Sequence, residues 1–250
     1  MQIKKLNAYT RWGYIPESVI IPSLNDRERH QFDIGIENLL CEREKVEKFA
    51  DGTYDELLLF SKTPGENTIF WCFNNWSEPL LLNRQLPETI SLCAGTSAHL
   101  LTQKWWFKTR FHEHLVGRYL NTLEQIQLIH SDMIIGGNCQ GAPIAESLAI
   151  RIKEKTGYEP LLITLDYVPR KQYDGPMFMM FGEDSTFNPF NCEIEPLPIF
   201  QKRKGDWGIG ILNAMHGQYF REPTLFELRD YILTATGKFL TRSRFEHSFF

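Results

Sequence analysis

Strand-length apolar runs alternating with amphipathic stretches predict an α/β fold, with a mostly parallel central sheet flanked by helices. Two observations carry this prediction and a third frames it. Seven short apolar runs, nearly free of polar residues, recur between residues 57 and 212. Unbroken apolar strands are buried on both faces, as in a parallel sheet. Longer amphipathic stretches lie between or after the runs, as crossover helices require. The chain has 250 residues, 42% hydrophobic and 23% charged, an ordinary globular composition that excludes a disordered or fibrous protein.

Residues 1–51 are polar and punctuated by Gly13, Pro16 and Pro22. They read as an N-terminal extension with one short helix after Asn25-Asp26, its apolar positions being Ile34, Ile36, Leu39 and Leu40. Residues 52–250 read as the main domain. Its strands are predicted at 57–60, 68–73, 90–93, 133–135, 161–165, 177–181 and 209–212. A helix over 114–129 carries Leu115, Tyr119, Leu120, Leu123, Ile126 and Leu128 on one broad apolar face. A second, over 141–156, carries Ile144, Leu148 and Ile152 at helical spacing, with Gly157 as its stop. A third, over 224–240, follows Pro223 and carries Leu225, Leu228, Ile232 and Leu233.

Other classes recede. A net charge of −4 disfavours a nucleic-acid binder. No run of 18 apolar residues exists, so no membrane span is expected. The start, MQIKKLNAYTRWGY, has no apolar segment after its lysines and is not read as a secretory signal. Cys41, Cys72, Cys93, Cys139 and Cys192 are odd in number, scattered and without a CxxC pair. That argues against a disulfide framework or a zinc site and for reduced thiols in the cytoplasm. His112 and His114 are two residues apart and would not share a helix face, so no metal site is expected. No glycine pattern for a nucleotide cofactor is present.

The informative segment is DMIIGGNCQGAPIAESLAIRIKEKTG, residues 132–157. A strand runs into Gly137-Asn138-Cys139-Gln140-Gly141 and a helix leaves it: glycine, any residue, nucleophile, any residue, glycine. Such an elbow puts the nucleophile in a strained conformation at the tip of a sharp bend. Side chains two before and two after it would collide, and Gly137 and Gly141 remove both. The helix aims its N-terminus at the nucleophile, which is expected to lower the Cys139 thiol pKa. The Gln140 backbone N–H is then one oxyanion donor.

A nucleophile on an elbow needs a base, and the base needs an acid to orient it. Only His216 and His247 follow Cys139. His247 lies three residues from the end of the sequence, whereas His216 lies in a loop after the last strand, where ligand sites of open α/β sheets sit. His216 is therefore the candidate base. Asp166 and Asp184 compete as the acid. Each lies at a strand's carboxyl end, and spacing does not separate them.

These residues resemble the thioesterase-domain branch of the α/β-hydrolases, the releasing domains of nonribosomal peptide and polyketide synthetases. The resemblance covers residues 54–250 and rests on IIGGNCQGAPIAESLA at the elbow and NAMHGQYFREP near the end, with weaker support from RYLNTLEQIQ and LLITLDYVPR. It implies an α/β-hydrolase fold and a Cys139–His216–Asp166 triad, because the branch's acid follows the strand after the elbow helix. In the wider fold the acid more often follows the next strand, which maps onto Asp184. The second oxyanion donor of the family maps onto Phe73-Asn74-Asn75, with Asn75 or Asn74 as the residue.

Three departures stand out. Cys139 replaces the usual serine. Only residues 167–175 separate Asp166 from the next strand, too few for the usual helical lid. The acyl site is then open, or covered by residues 1–51 or by the aromatic segment TQKWWFKTRFHEH at 102–114, a basic stretch that reads either as a docking patch for an acidic carrier protein or as a packed loop with a solvated rim. No carrier-protein GGDS motif is present, so an acyl group would arrive on a separate partner. The resemblance implies an acyl or aminoacyl thioester on that partner's phosphopantetheine arm, with no cofactor in this chain. A thioester on Cys139 stays reactive toward amines and thiols as well as water, so transfer and hydrolysis both fit. A Cys-dependent ester or lactone hydrolase resembling dienelactone hydrolases, and a non-catalytic binding protein on the same fold, are the other expectations.

Overall fold

The computed structural model describes residues 25–61, 67–101, 105–191, 205–243 and 245. Chain order begins with helix α1 (Asp26–Glu47), strands β1 (Gly52–Tyr54), β2 (Leu57–Phe60) and β3 (Asn67–Phe73), helix α2 (Glu78–Gln85) and β4 (Ile90–Thr96). It continues through α3 (Trp105–Gln125), β5 (Ile134–Asn138), α4 (Ala142–Thr156), β6 (Leu161–Leu165), β7 (Met177–Gly182), β8 (Trp207–Leu212) and α5 (Thr224–Leu240).

The strands form one sheet in the order β1-β2-β4-β3-β5-β6-β7-β8. Pairing is antiparallel only at β1–β2 and β2–β4 and parallel from β4 through β8. β4 through β7 are buried along nearly their whole length, as their unbroken apolar sequences require. β4 lies on one side of β3 and β5 on the other, so the sheet changes winding direction at β3. The crevice at the carboxyl ends of β3 and β5 is the place where open α/β sheets bind ligands.

The structure departs from the sequence expectation in a few elements. α1 is a 22-residue helix, not a short one. Its Ile36, Leu39 and Val46 join the core, and its fully buried Arg43 lies over the Trp76 ring at 5.5 Å. α3 starts at Trp105 rather than at residue 114, so the aromatic segment is mostly helix. Residues 102–104 and the side chains of 105–110 lie outside the described residues, as do Cys192 and His247. β5 runs through the glycines to Asn138, because paired backbone, not side chains, carries its end. The 167–175 connection contains no helix. Among the described residues no helix is long and apolar enough to cross a membrane.

Candidate active site

The β5–α4 turn follows the elbow geometry. Cys139 has φ 47° and its N–H donates to the Leu165 carbonyl at 2.8 Å, extending the β5–β6 ladder by one rung. A Cβ on Gly137 would stand 2.8 Å from the Gly141 backbone, and one on Gly141 would stand 2.0 Å from the Cys72 carbonyl oxygen. Both glycines are therefore demanded by backbone approach.

Three sequence-predicted residues come together at this point. Cys139 Sγ lies 3.9 Å from His216 Nε2, and His216 Nδ1 lies 2.6 Å from Asp166 Oδ2. With Nδ1–H donating to the carboxylate, Nε2 presents its lone pair to the thiol. The Asp166 side chain is fully buried and the His216 side chain 40% exposed. Asp166 also accepts from Ser185 Oγ at 2.9 Å, from the Tyr219 hydroxyl and from the Gly182 N–H at 3.3 Å. Asp184, the other candidate acid, is exposed and does not reach His216, because its turn directs the preceding Gly182 and the following Ser185 toward Asp166 instead.

The thiol departs from expectation. Burial pushes the Cys139 pKa above its ordinary value of 9.0, and the Asp166 charge adds to the rise. Hydrogen bonds from the Asn74 side chain and from Gln140 oppose it without reversing it. The net direction is thus upward, because burial outweighs the donors around the sulfur. Gln140 reaches the sulfur through Nε2 at 3.8 Å and through its backbone N–H.

Asn74 and Asn75 are not free for an oxyanion in the way the sequence implies. The Asn74 N–H donates to Glu78 Oε2 at 3.0 Å, and Asn75 Nδ2 donates to Glu78 Oε1 at 3.0 Å. Asn138 Nδ2 donates to the same Oε2 at 3.2 Å while its Oδ1 accepts from Trp71 Nε1 at 3.1 Å. Glu78 lines one small cleft with Cys139, His216, Asn138 and Tyr219. Burial pushes its carboxyl from 4.5 up to about 7, against the hydrogen bonds that favour the charged form. Sequence reading missed Glu78. The available signal is Asn-Asn-Trp-Ser-Glu-Pro, a loop asparagine pair leading into a proline-started helix whose first residue is acidic.

Among the described residues no group of three His, Cys, Asp or Glu side chains is placed to hold a metal ion. No protein-family model matches the chain, and no curated protein matches it. Solved structures do. The type II thioesterase BorB from the borrelidin biosynthetic cluster matches with a TM-score of 0.53 at 13% identity, covering 75% of this chain and 97% of its own. The Vlm2 thioesterase domain, in a structure bound with a dodecadepsipeptide, gives 0.51 at 13%, covering 70% and 98%. Esterase B from Lactobacillus rhamnosis gives 0.53 at 8%, covering 88% and 97%. At such identities the likeness establishes architecture alone: the chain has the α/β-hydrolase fold, with a mostly parallel eight-stranded sheet.

Proposed function

We propose that the protein is a thioesterase-like acyl-transfer enzyme with Cys139 as nucleophile, His216 as base and Asp166 as the acid that orients it. The observation that carries this reading is the array from Asp166 Oδ2 through the His216 ring to Cys139 Sγ, at 2.6 Å and 3.9 Å. The substrate is an acyl or aminoacyl thioester on the phosphopantetheine arm of a separate carrier protein, and the chain itself needs no cofactor. Phe187 is exposed with its ring 4.7 Å from the His216 ring, and Met215 beside His216 is exposed too, an apolar surface at the base suited to such an arm.

The raised thiol pKa fits a thiol that is protonated at rest and deprotonated only during attack. His216 Nε2 takes the Sγ proton as sulfur bonds to the thioester carbon. The carbonyl electrons move onto oxygen, where the Gln140 N–H and the Asn74 loop donate. Collapse of the tetrahedral species expels the pantetheine thiolate, which takes the proton back from His216. Acyl-Cys139 is then resolved by water, an amine or a second thiol, with His216 again the base. Exchange of one thioester for another is near thermoneutral, so the bound acyl group keeps its reactivity for transfer.

Intact-protein mass spectrometry with acyl-pantetheine thioesters, wild type beside Cys139→Ala, tests this. The expected result is an acyl adduct on wild type and none on the variant. Clearance in water identifies a hydrolase, and clearance only on adding amine or thiol a transferase. Wild-type turnover by Cys139→Ala would falsify the assignment. Preference for oxygen esters over thioesters would move it to an ester hydrolase.

A further inference from the structure

Glu78 stands outside the proposed mechanism, yet its carboxylate occupies the Asn74 N–H, one of the donors that mechanism calls on. Every partner it has there is a donor: the backbone N–H groups of Asn74 and Asn75, Asn75 Nδ2 and Asn138 Nδ2. They converge from the ends of β3 and β5, the two strands that border the cleft, and Asn138 immediately precedes Cys139. Among the described residues no cationic side chain pairs with Glu78. Neutral donors converging on negative oxygen beside a nucleophile are what a tetrahedral oxyanion requires. In this cleft such donors converge on the Glu78 carboxylate.

We infer that Glu78 is an internal occupant of the oxyanion donors, holding the Asn74 N–H until an acyl carbonyl arrives and takes it over. This inference rests on the reading of Cys139 as an acyl acceptor. The energetic balance permits the exchange. Burial raises the Glu78 carboxyl to about 7 against the hydrogen bonds that favour its charged form, so a proton taken up near neutrality loosens its hold on these donors. Glu78 opens helix α2, next to the exposed Ser77, and is itself half-buried, lining the cleft with Cys139 and His216. The Asn74 loop stays in place when the carboxylate leaves. The Asn74 carbonyl accepts from Thr96 Oγ1 at 3.4 Å and lies 3.2 Å from His99 Nδ1, and its Oδ1 accepts from Ser97 Oγ at 3.5 Å. The donor is held by β4 and the turn after it, independently of its occupant.

An occupant that must be displaced lowers apparent affinity in proportion to the fraction of time it leaves the site free. A purely structural Glu78 would have the opposite signature, since its loss would misplace the loop. Acylation of Cys139 is therefore followed in wild type, Glu78→Gln and Glu78→Ala with two acyl donors, acetyl-pantetheine and p-nitrophenyl acetate. Alkylation by iodoacetamide, which forms no oxyanion, reports whether the thiol site is intact. The expected result is a KM lower by about threefold to tenfold in both variants, with kcat/KM raised accordingly. An unchanged or higher KM, or a fall in KM matched by kcat, overturns the inference. Loss of alkylation in Glu78→Gln also overturns it, by making Glu78 a support of the site. If wild type takes the acetyl group from p-nitrophenyl acetate and not from acetyl-pantetheine, the thioester reading fails alone, and the KM comparison still decides on Glu78 with the ester.

Discussion

Asp166 and Asp184 stand just beyond the ends of neighbouring parallel strands, β6 and β7, and the two carboxylates have opposite surroundings. Asp166 has φ 53°, a fully buried side chain and four donors: His216 Nδ1, Ser185 Oγ, the Tyr219 hydroxyl and the Gly182 N–H. Asp184 is exposed, and its N–H donates to the Ala214 carbonyl at 3.2 Å. The turn at the end of β7 gives Gly182 and Ser185 to Asp166 and leaves Asp184 in solvent. A strand end offers a position, and converging donors make that position an anionic anchor.

The comparison breaks or holds on four measurements. The largest effect is expected from Asp166→Asn, which keeps the shape and removes the acceptor that fixes the imidazole tautomer. Acylation of Cys139 should fall by about 10²- to 10⁴-fold. The second measurement is the pH dependence of Cys139 alkylation. With the thiol raised above 9.0, thiolate is a minor form at neutrality. The rate should climb about tenfold per pH unit between about pH 6 and 8, without a plateau. In Asp166→Asn, where the carboxylate charge that adds to the rise is gone, the profile should move to lower pH. Third, Tyr219→Phe removes one donor to a buried carboxylate and should lower acylation about tenfold, in line with about 1.5–3 kcal/mol for a hydrogen bond to a charged group. Last, Asp184→Asn should change neither rate nor pH profile and should alter stability by less than about 0.5 kcal/mol. A loss in Asp184→Asn comparable to that in Asp166→Asn would end the distinction.

What could be read in advance follows from where the physical constraint is local. β2 and β6 match their apolar runs residue for residue, because these buried strands are apolar throughout but for Thr164, whose hydroxyl donates to the Tyr167 carbonyl. The elbow glycines were legible because the bend itself excludes side chains on either side of Cys139. β1 was not legible: three exposed or half-exposed residues have strand geometry only through pairing with β2. The two-turn helix α2 gave too short a period to register, and with it went Glu78. The first turns of α3, rich in tryptophan and phenylalanine, read as an aromatic patch before they read as helix. The rise in the Cys139 pKa was illegible in principle. It comes from burial by groups from several strands, whereas the sequence shows only the helix N-terminus that would lower it. The contact between His216 and Asp166 spans 50 residues and is settled by the β6–β7–β8 register, which no local pattern encodes.

The Gly141 contact has a mechanical consequence. A methyl group there would meet the Cys72 carbonyl oxygen at 2.0 Å, so the turn bearing the thiol is seated directly on the end of β3. The Asn74 loop begins two residues after Cys72. The spacing between the turn that bears Cys139 and the Asn74 loop is thus gauged by main chain against main chain. Side chains lining the cleft can change while that gauge keeps its setting. Any shift of β3 carries sulfur and donor together, as two jaws on one vice.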